Sequence, residues 1–151
     1  MTIREAAITD IIQMQRVRNS VTENALSNPD LIPPEAYKEY ILQRGKAWVC
    51  EVGDKVVGFS VLDLLEHNIW ALFLDPDHEK QGIGRQLHDN MLNWYFSHTK
   101  TTLWLGTAPA TRAESFYKKA GWTAIGKHGK NEIKFEMTYA NWISLTQNEL
   151  G

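Results

Sequence analysis

Residues 72–87 read "LFLDPDHEKQGIGRQL", and the fold turns on how this stretch is understood. It leaves an apolar, strand-like run, passes Pro76 and two glycines, Gly82 and Gly84, and enters an amphipathic helix. A helix start leaves several backbone N–H groups without partners. The aligned peptide dipoles add roughly half a positive charge there. Glycine lets a ligand approach the main chain closely and permits unusual dihedrals. Gln81, Gly82, Ile83, Gly84 and Arg85 can therefore present a ring of amides, with Lys80 and Arg85 as flanking cations. That is a phosphate cradle. The same glycines equally fit a tight strand-to-helix turn that binds nothing. No G-K-[ST] is present, which excludes a P-loop nucleotide triphosphatase. The dinucleotide pattern lacks its third glycine and its acidic partner on a second strand.

Outward from this stretch, the hydrophobic periods define the other elements. "NIWALFL" (68–74) is almost wholly apolar and reads as a central strand covered on both faces. Downstream, Ile83, Leu87, Met91 and Trp94 step by helical spacing. "TTLWLGT" is a strand, and "TRAESFYKKAG" a short helix stopped by Gly121. "WTAIG" and "NEIKFEMTY" make a closing hairpin. Upstream, "KAWVCEV" and "KVVGFSVLDL" form a hairpin around "GDK". Two helices come before it. The first carries Ile11, Met14, Val17 and Val21 on one face, with Thr9 or Asp10 as N-cap. The second opens at Pro33 and Pro34 and stops at Gly45. Residues 2–7 supply a first strand. The order β-α-α-β-β-β-α-β-α-β-β predicts a mixed α/β fold. Its central, mostly antiparallel sheet has about six or seven strands and about four flanking helices. A single domain over 1–151 is expected, with 139–151 as a C-terminal tail whose Trp142, Ile143 and Leu145 suit a docking segment or a homodimer contact.

At 151 residues and a net charge of −2, the chain can bury a core without staples and has no global positive field to draw in nucleic acid. No run is long enough to span a membrane, and "MTIREAAITD" lacks the apolar core of a signal peptide, so a cytoplasmic location is expected. The single cysteine, Cys50, gives neither a disulfide framework nor a cysteine metal site. The histidines show no paired metal-ligand spacing, so no metal is expected.

"LFLDPDHEKQGIGRQL" resembles the acyl-coenzyme A signature of the GNAT acetyltransferase superfamily, [RQ]-x-x-G-x-[GA] after an apolar strand. "RAESFYKKAGW" resembles the same superfamily's second signature, A-x-x-F-Y-x-x-x-G-[FW]. The resemblance covers residues 2–138. It implies acetyl-CoA as cosubstrate, with Leu72, Phe73 and Leu74 offering main-chain groups to the pantetheine arm. It also implies a backbone N–H near Leu74 for the oxyanion, and Lys80, Gln81, Gly82, Ile83, Gly84 and Arg85 around the pyrophosphate. Tyr117 matches the family tyrosine aimed at the coenzyme sulfur. Two positions depart from the pattern. Glu79 stands where an Arg or Gln is usual, and Ala110 stands where an Asn is usual.

The activity so implied is direct transfer of an acetyl group to a primary amine of a small molecule or peptide. The alternative is a non-catalytic acyl-CoA-binding sensor. An alkyl amine is mostly protonated at neutral pH, at a cost of roughly 5 kcal/mol for the free base, so a proton acceptor is expected nearby. Glu66 is the first candidate and His67 the second. The first two helices are expected to wall the acceptor, through Asn19, Glu23 and Tyr37. Each of these residues equally suits a solvated or structural role.

Overall fold

The strands at the centre of the first half are the best buried. The computed structural model describes residues 1–21 and 32–150, and falls into two units, Met1–Leu92 and Asn93–Gly151. In the first unit, β1 (Thr2–Glu5), β2 (Gly45–Val52), β3 (Lys55–Asp63) and β4 (Asn68–Leu74) pair in that order, each antiparallel to its neighbour. Residues 56–63 of β3 are all buried, because β3 has a strand on each side and packing on both faces. β4 was the strand expected to be covered throughout. Instead Leu72, Phe73 and Leu74 are only partly buried.

β4 carries a bulge. Leu62 pairs with Ile69 and Val61 with Ala71, so Trp70 has no partner on β3. The extra residue puts Trp70 and Ala71 on one face. There they join Ile11, Met14 and Val17 of α1 (Ile11–Ser20), together with Tyr37, Phe59 and Val61. Tyr37 lies on α2 (Pro34–Glu39), which Pro34 opens as expected. The chain continues as a π-helical segment, Tyr40–Arg44. Trp70 stacks on Tyr40 at 4.3 Å and meets Tyr37 edge-on at 5.3 Å.

α3 (Ile83–His98) starts in the first unit and ends in the second. Its buried stripe is Ile83, Leu87, Met91 and Tyr95. Tyr95 takes the place expected for Trp94, which is only partly buried and stacks on His98 at 4.2 Å. Gly58 of β3 is what lets α3 come close: a Cβ there would stand 3.0 Å from Leu87 Cδ1 and 3.1 Å from Leu74 Cδ1.

In the second unit, β5 (Leu103–Thr107) and β6 (Thr123–His128) flank β7 (Glu132–Met137), both antiparallel to it. α4 (Arg112–Lys119) precedes the hairpin and α5 (Tyr139–Leu150) follows it. α5 corrects the expectation of a separate tail. Trp142 is 4% exposed and stacks against Phe96, and Leu145 lies over Gly121. The mixed α/β class and mostly antiparallel pairing are as expected, with seven strands and five helices among the described residues. No helix among them is long and apolar enough to cross a membrane.

Candidate active site

Asp75 anchors the turn between β4 and α3. Its N–H donates to the carbonyl of Val57 at 2.7 Å, and its carboxylate accepts from the Asp77 N–H at 3.0 Å. Arg16 on α1 reaches that carboxylate at 3.3 Å and Lys55 at 3.7 Å. Burial pushes the Asp75 carboxyl up, but the amide and the two cations outweigh it and hold the group below its ordinary value. The turn Pro76–His78 is thus fixed on three sides. Lys80 and Gly82 then adopt φ of 63° and 78°. Nothing lies within 4 Å of where a Gly82 Cβ would be, so the glycine is required by conformation and not by space.

The Gly82 carbonyl accepts from Gln86 N–H at 3.1 Å, which makes it the first acceptor of α3. The amides of Ile83, Gly84 and Arg85 have no earlier helical carbonyl to meet. Lys80, Gln81 and Gly82 are exposed, and Gly84 and Arg85 partly so. Arg85 Nε donates to Asp89 Oδ1 at 3.0 Å, and the same oxygen lies 2.8 Å from His88 Nδ1. His88 is fully buried. Burial holds its imidazole below the ordinary value, and Asp89 opposes that shift.

The pairing of β4 separates its main-chain groups. Since Asp75 N–H meets Val57, Leu74 and Gly58 are a non-hydrogen-bonded pair and Phe73 is hydrogen-bonded to Phe59. Phe73 therefore directs its N–H and C=O at β3, whereas Leu72 and Leu74 direct theirs away from it. The expectation that Phe73 offers main-chain groups to a ligand is corrected; Leu72 and Leu74 keep that capacity.

Glu66 and His67 lie in the β3–β4 turn, at the far end of β4 from Leu74, roughly 20 Å along the strand. Asp63 builds that turn, accepting from the amides of Leu65 at 2.9 Å and Glu66 at 3.1 Å while Arg44 forks onto it at 3.0 and 2.8 Å. Glu66 is exposed and His67 has φ of 57°. The structure does not bring either beside Leu74. Asn19 is exposed on α1, and Glu23 lies outside the described residues. Tyr37 is 2% exposed and packs as core between Phe59 and Trp70, not as an open wall. Cys50 is buried in β2, where burial pushes its thiol up.

In the second unit, a capping arrangement sets α4 and with it Tyr117. Thr111 Oγ1 accepts from Glu114 N–H at 3.3 Å, and Glu114 Oε2 accepts from Ala110 N–H at 2.7 Å. Ala110 pays for this with a left-handed φ of 60°. The Tyr117 ring meets Trp122 edge-on at 5.6 Å and lies 6.3 Å from Phe135. It is 6% exposed, and burial pushes its hydroxyl well above the usual tyrosine range.

The architecture and a glycine turn of this form define an acyl-group transferase. The acetyltransferase (GNAT) family model matches residues 11–122, and the protein belongs to this family of acetyltransferase enzymes. It is similar to a peptidyl-lysine N-acetyltransferase, YjaB, of Salmonella typhimurium, with 29% identity over 124 residues, spanning 82% of this chain and 81% of that one. Among solved structures, the PaiA N-acetyltransferase of Thermoplasma acidophilum in complex with coenzyme A superposes with a TM-score of 0.82, at 16% identity over 91% of this chain and 98% of that one. An aminoglycoside 6'-N-acetyltransferase complexed with coenzyme A gives 0.72, at 17% identity over 92% and 97%. At such identities the solved structures establish the fold.

Proposed function

We propose that the protein transfers the acetyl group of acetyl-CoA directly to a primary amine of a small molecule or peptide. The observation that carries this reading is the turn after β4, where left-handed Gly82 releases three successive amides, Ile83 to Arg85, at a helix start. They suit a pyrophosphate, with Lys80 and Arg85 adding charge. The partly buried end of β4 supports the reading too: Leu72 and Leu74 turn their main-chain groups away from β3, as strand-like pairing with a pantetheine arm requires. The Leu74 N–H is the donor suited to a thioester oxygen as it gains negative charge. Acetyl-CoA would supply the activated acyl carbon.

Tyr117 donates a hydrogen bond to the departing sulfur in this reading and does not surrender its proton. A thiol is a stronger acid than an ordinary tyrosine by about 1.5 units, and burial of Tyr117 widens that gap. The amine acceptor is supported by the relatives, whose names specify lysine side chains and an aminoglycoside as acceptors.

Two measurements test the reading. Coenzyme A titrated into labelled protein should move the amide resonances of Gly82, Ile83, Gly84 and Arg85. Acetyl-CoA should then release thiol in the presence of one or more members of a panel of lysine peptides, polyamines and aminoglycosides. Unmoved resonances at millimolar coenzyme A reject the site. Binding without turnover across the panel rejects the transferase in favour of an acyl-CoA sensor.

A further inference from the structure

β5 exposes bare backbone on the face away from Tyr117. Leu103, Leu105 and Thr107 are buried on one face, with Phe135 opposite Leu105 and Tyr117 beside Phe135. Trp104 and Gly106 alternate onto the other face. A Cβ on Gly106 would stand 2.8 Å from Glu132 Oε1 and 2.9 Å from His128 Cδ2. The carboxylate and the imidazole therefore rest directly over the glycine's main chain, in space that any other residue would fill.

The surrounding pairing makes this a built arrangement. His128 and Glu132 face each other across the β6–β7 hairpin. Gly106 pairs with Lys134, which lies two positions along β7 from Glu132 and so on the same face. The Trp104 ring lies 4.9 Å from the His128 ring, and Lys134 Nζ lies 4.9 Å from the Trp104 ring. Lys134 is thus turned over the indole. Glu132 is exposed, and among the described residues its carboxylate enters no hydrogen bond or ion pair. An open carboxylate held over backbone, with an imidazole beside it, suits an ammonium group, which donates charge-assisted hydrogen bonds to it.

We propose that Glu132 receives the ammonium group of the acceptor, in a seat whose floor is Gly106 and whose side is His128. The proposal rests on the acetyl-transfer reading above, which requires a place for a protonated primary amine. It puts that place in the same unit as Tyr117 but on the opposite strand face, so the amine and the leaving sulfur meet different residues. Glu132 is then the specificity-determining residue, selecting cationic acceptors over neutral or anionic ones.

Two variants test this, with spermidine and lysine amide as probes. Glu132→Gln keeps the shape and removes the charge. Gly106→Ala places a methyl where Glu132 and His128 now rest. Both are far ends of flexible side chains, so they move aside and the strand is kept. In each variant KM for the probes should rise about tenfold or more, as for a lost charged hydrogen bond, while KM for acetyl-CoA stays within about twofold. Unchanged probe KM in both variants overturns the proposal. A second readout needs no turnover. The probes should shift the His128 ring resonance of the wild-type protein and leave it unmoved in Glu132→Gln. If no amine is acetylated but this shift is seen, the transferase reading fails and the seat stands. If neither probe produces the shift in the wild type, the seat is rejected whatever the activity.

Discussion

A Cβ placed on Gly45 would stand 1.9 Å from the carbonyl oxygen of Leu62 and 3.3 Å from that of Tyr40. Gly45 has an extended backbone that any residue could adopt, so the constraint is space alone. Both obstructing atoms are main chain and cannot swing aside. Gly45→Ala should therefore destabilise the protein by about 3 kcal/mol, in the upper range for overpacking. Gly53→Asn is the control. Its φ of 64° is one that asparagine tolerates, and nothing lies within 4 Å. Urea midpoints should fall for the first variant and hardly change for the second.

His88 gives the native state a neutral-pH weakness. Its folded pKa is held below the ordinary 6.5, chiefly by burial. The unfolded chain therefore binds the proton more readily, and stability rises with pH in this range. The contribution is complete above about pH 6.5 and is lost as pH falls below it. Thermal midpoints measured from pH 8 to pH 5 should decline for the wild type, and His88→Gln should flatten that decline.

Asp10 acts in a separate, more acidic window. The Arg4 guanidinium, accepting partners at 2.8 and 2.9 Å, and the Ala7 amide hold its carboxyl below its ordinary value against the effect of burial. Its stabilisation is present above about pH 4 and is lost as pH falls through the lower, folded value. Asp10→Asn should cost stability at pH 7 and little at pH 2, measured by denaturant unfolding at each pH.

Tyr117→Phe retains the ring packed against Trp122 and Phe135 and removes only the hydroxyl. Turnover should fall about 10–1000-fold, while calorimetric affinity for coenzyme A changes little. An unchanged rate takes Tyr117 out of the chemistry.

Trp142→Ala should cost about 3–5 kcal/mol, as for other large buried aromatics, because the ring is 4% exposed and stacks on Phe96. A docking tail would show no such loss in a thermal melt of the isolated protein.

The sequence was most legible where local chemistry acts alone. β4 begins and ends where the apolar run does, and Pro34 opens α2 as a first-turn proline should. The glycine turn was legible for the same reason: a left-handed φ at Gly82 is a demand that one residue type meets. What escaped depends on pairing and packing. Nothing in "NIWALFL" marks Trp70 as the unpaired residue, so neither the bulge nor the resulting orientation of Phe73 could be read. α5 escaped because "ANWISLTQNEL" has few apolar residues and its helix is held by contacts such as that of Trp142 with Phe96. Tyr37 was grouped with polar helix residues, but tertiary packing makes it core. Glu132 and His128 carried no signal, since their meeting over Gly106 depends on the register of two strand pairs.

The unpaired Trp70 works as a phase shift. Every side chain of β4 after it takes the side it would otherwise have avoided, so Phe73 lies under the Arg18 guanidinium, 4.2 Å from its ring centre, while Leu74 turns to Gly58 and Leu87. The strand therefore counts in twos. Loss or gain of a single residue between Ile69 and Leu74 would exchange those two side chains and, with them, the direction of the Leu74 amide, whereas a change of two would restore both. Natural length variation along this strand should accordingly come in even steps.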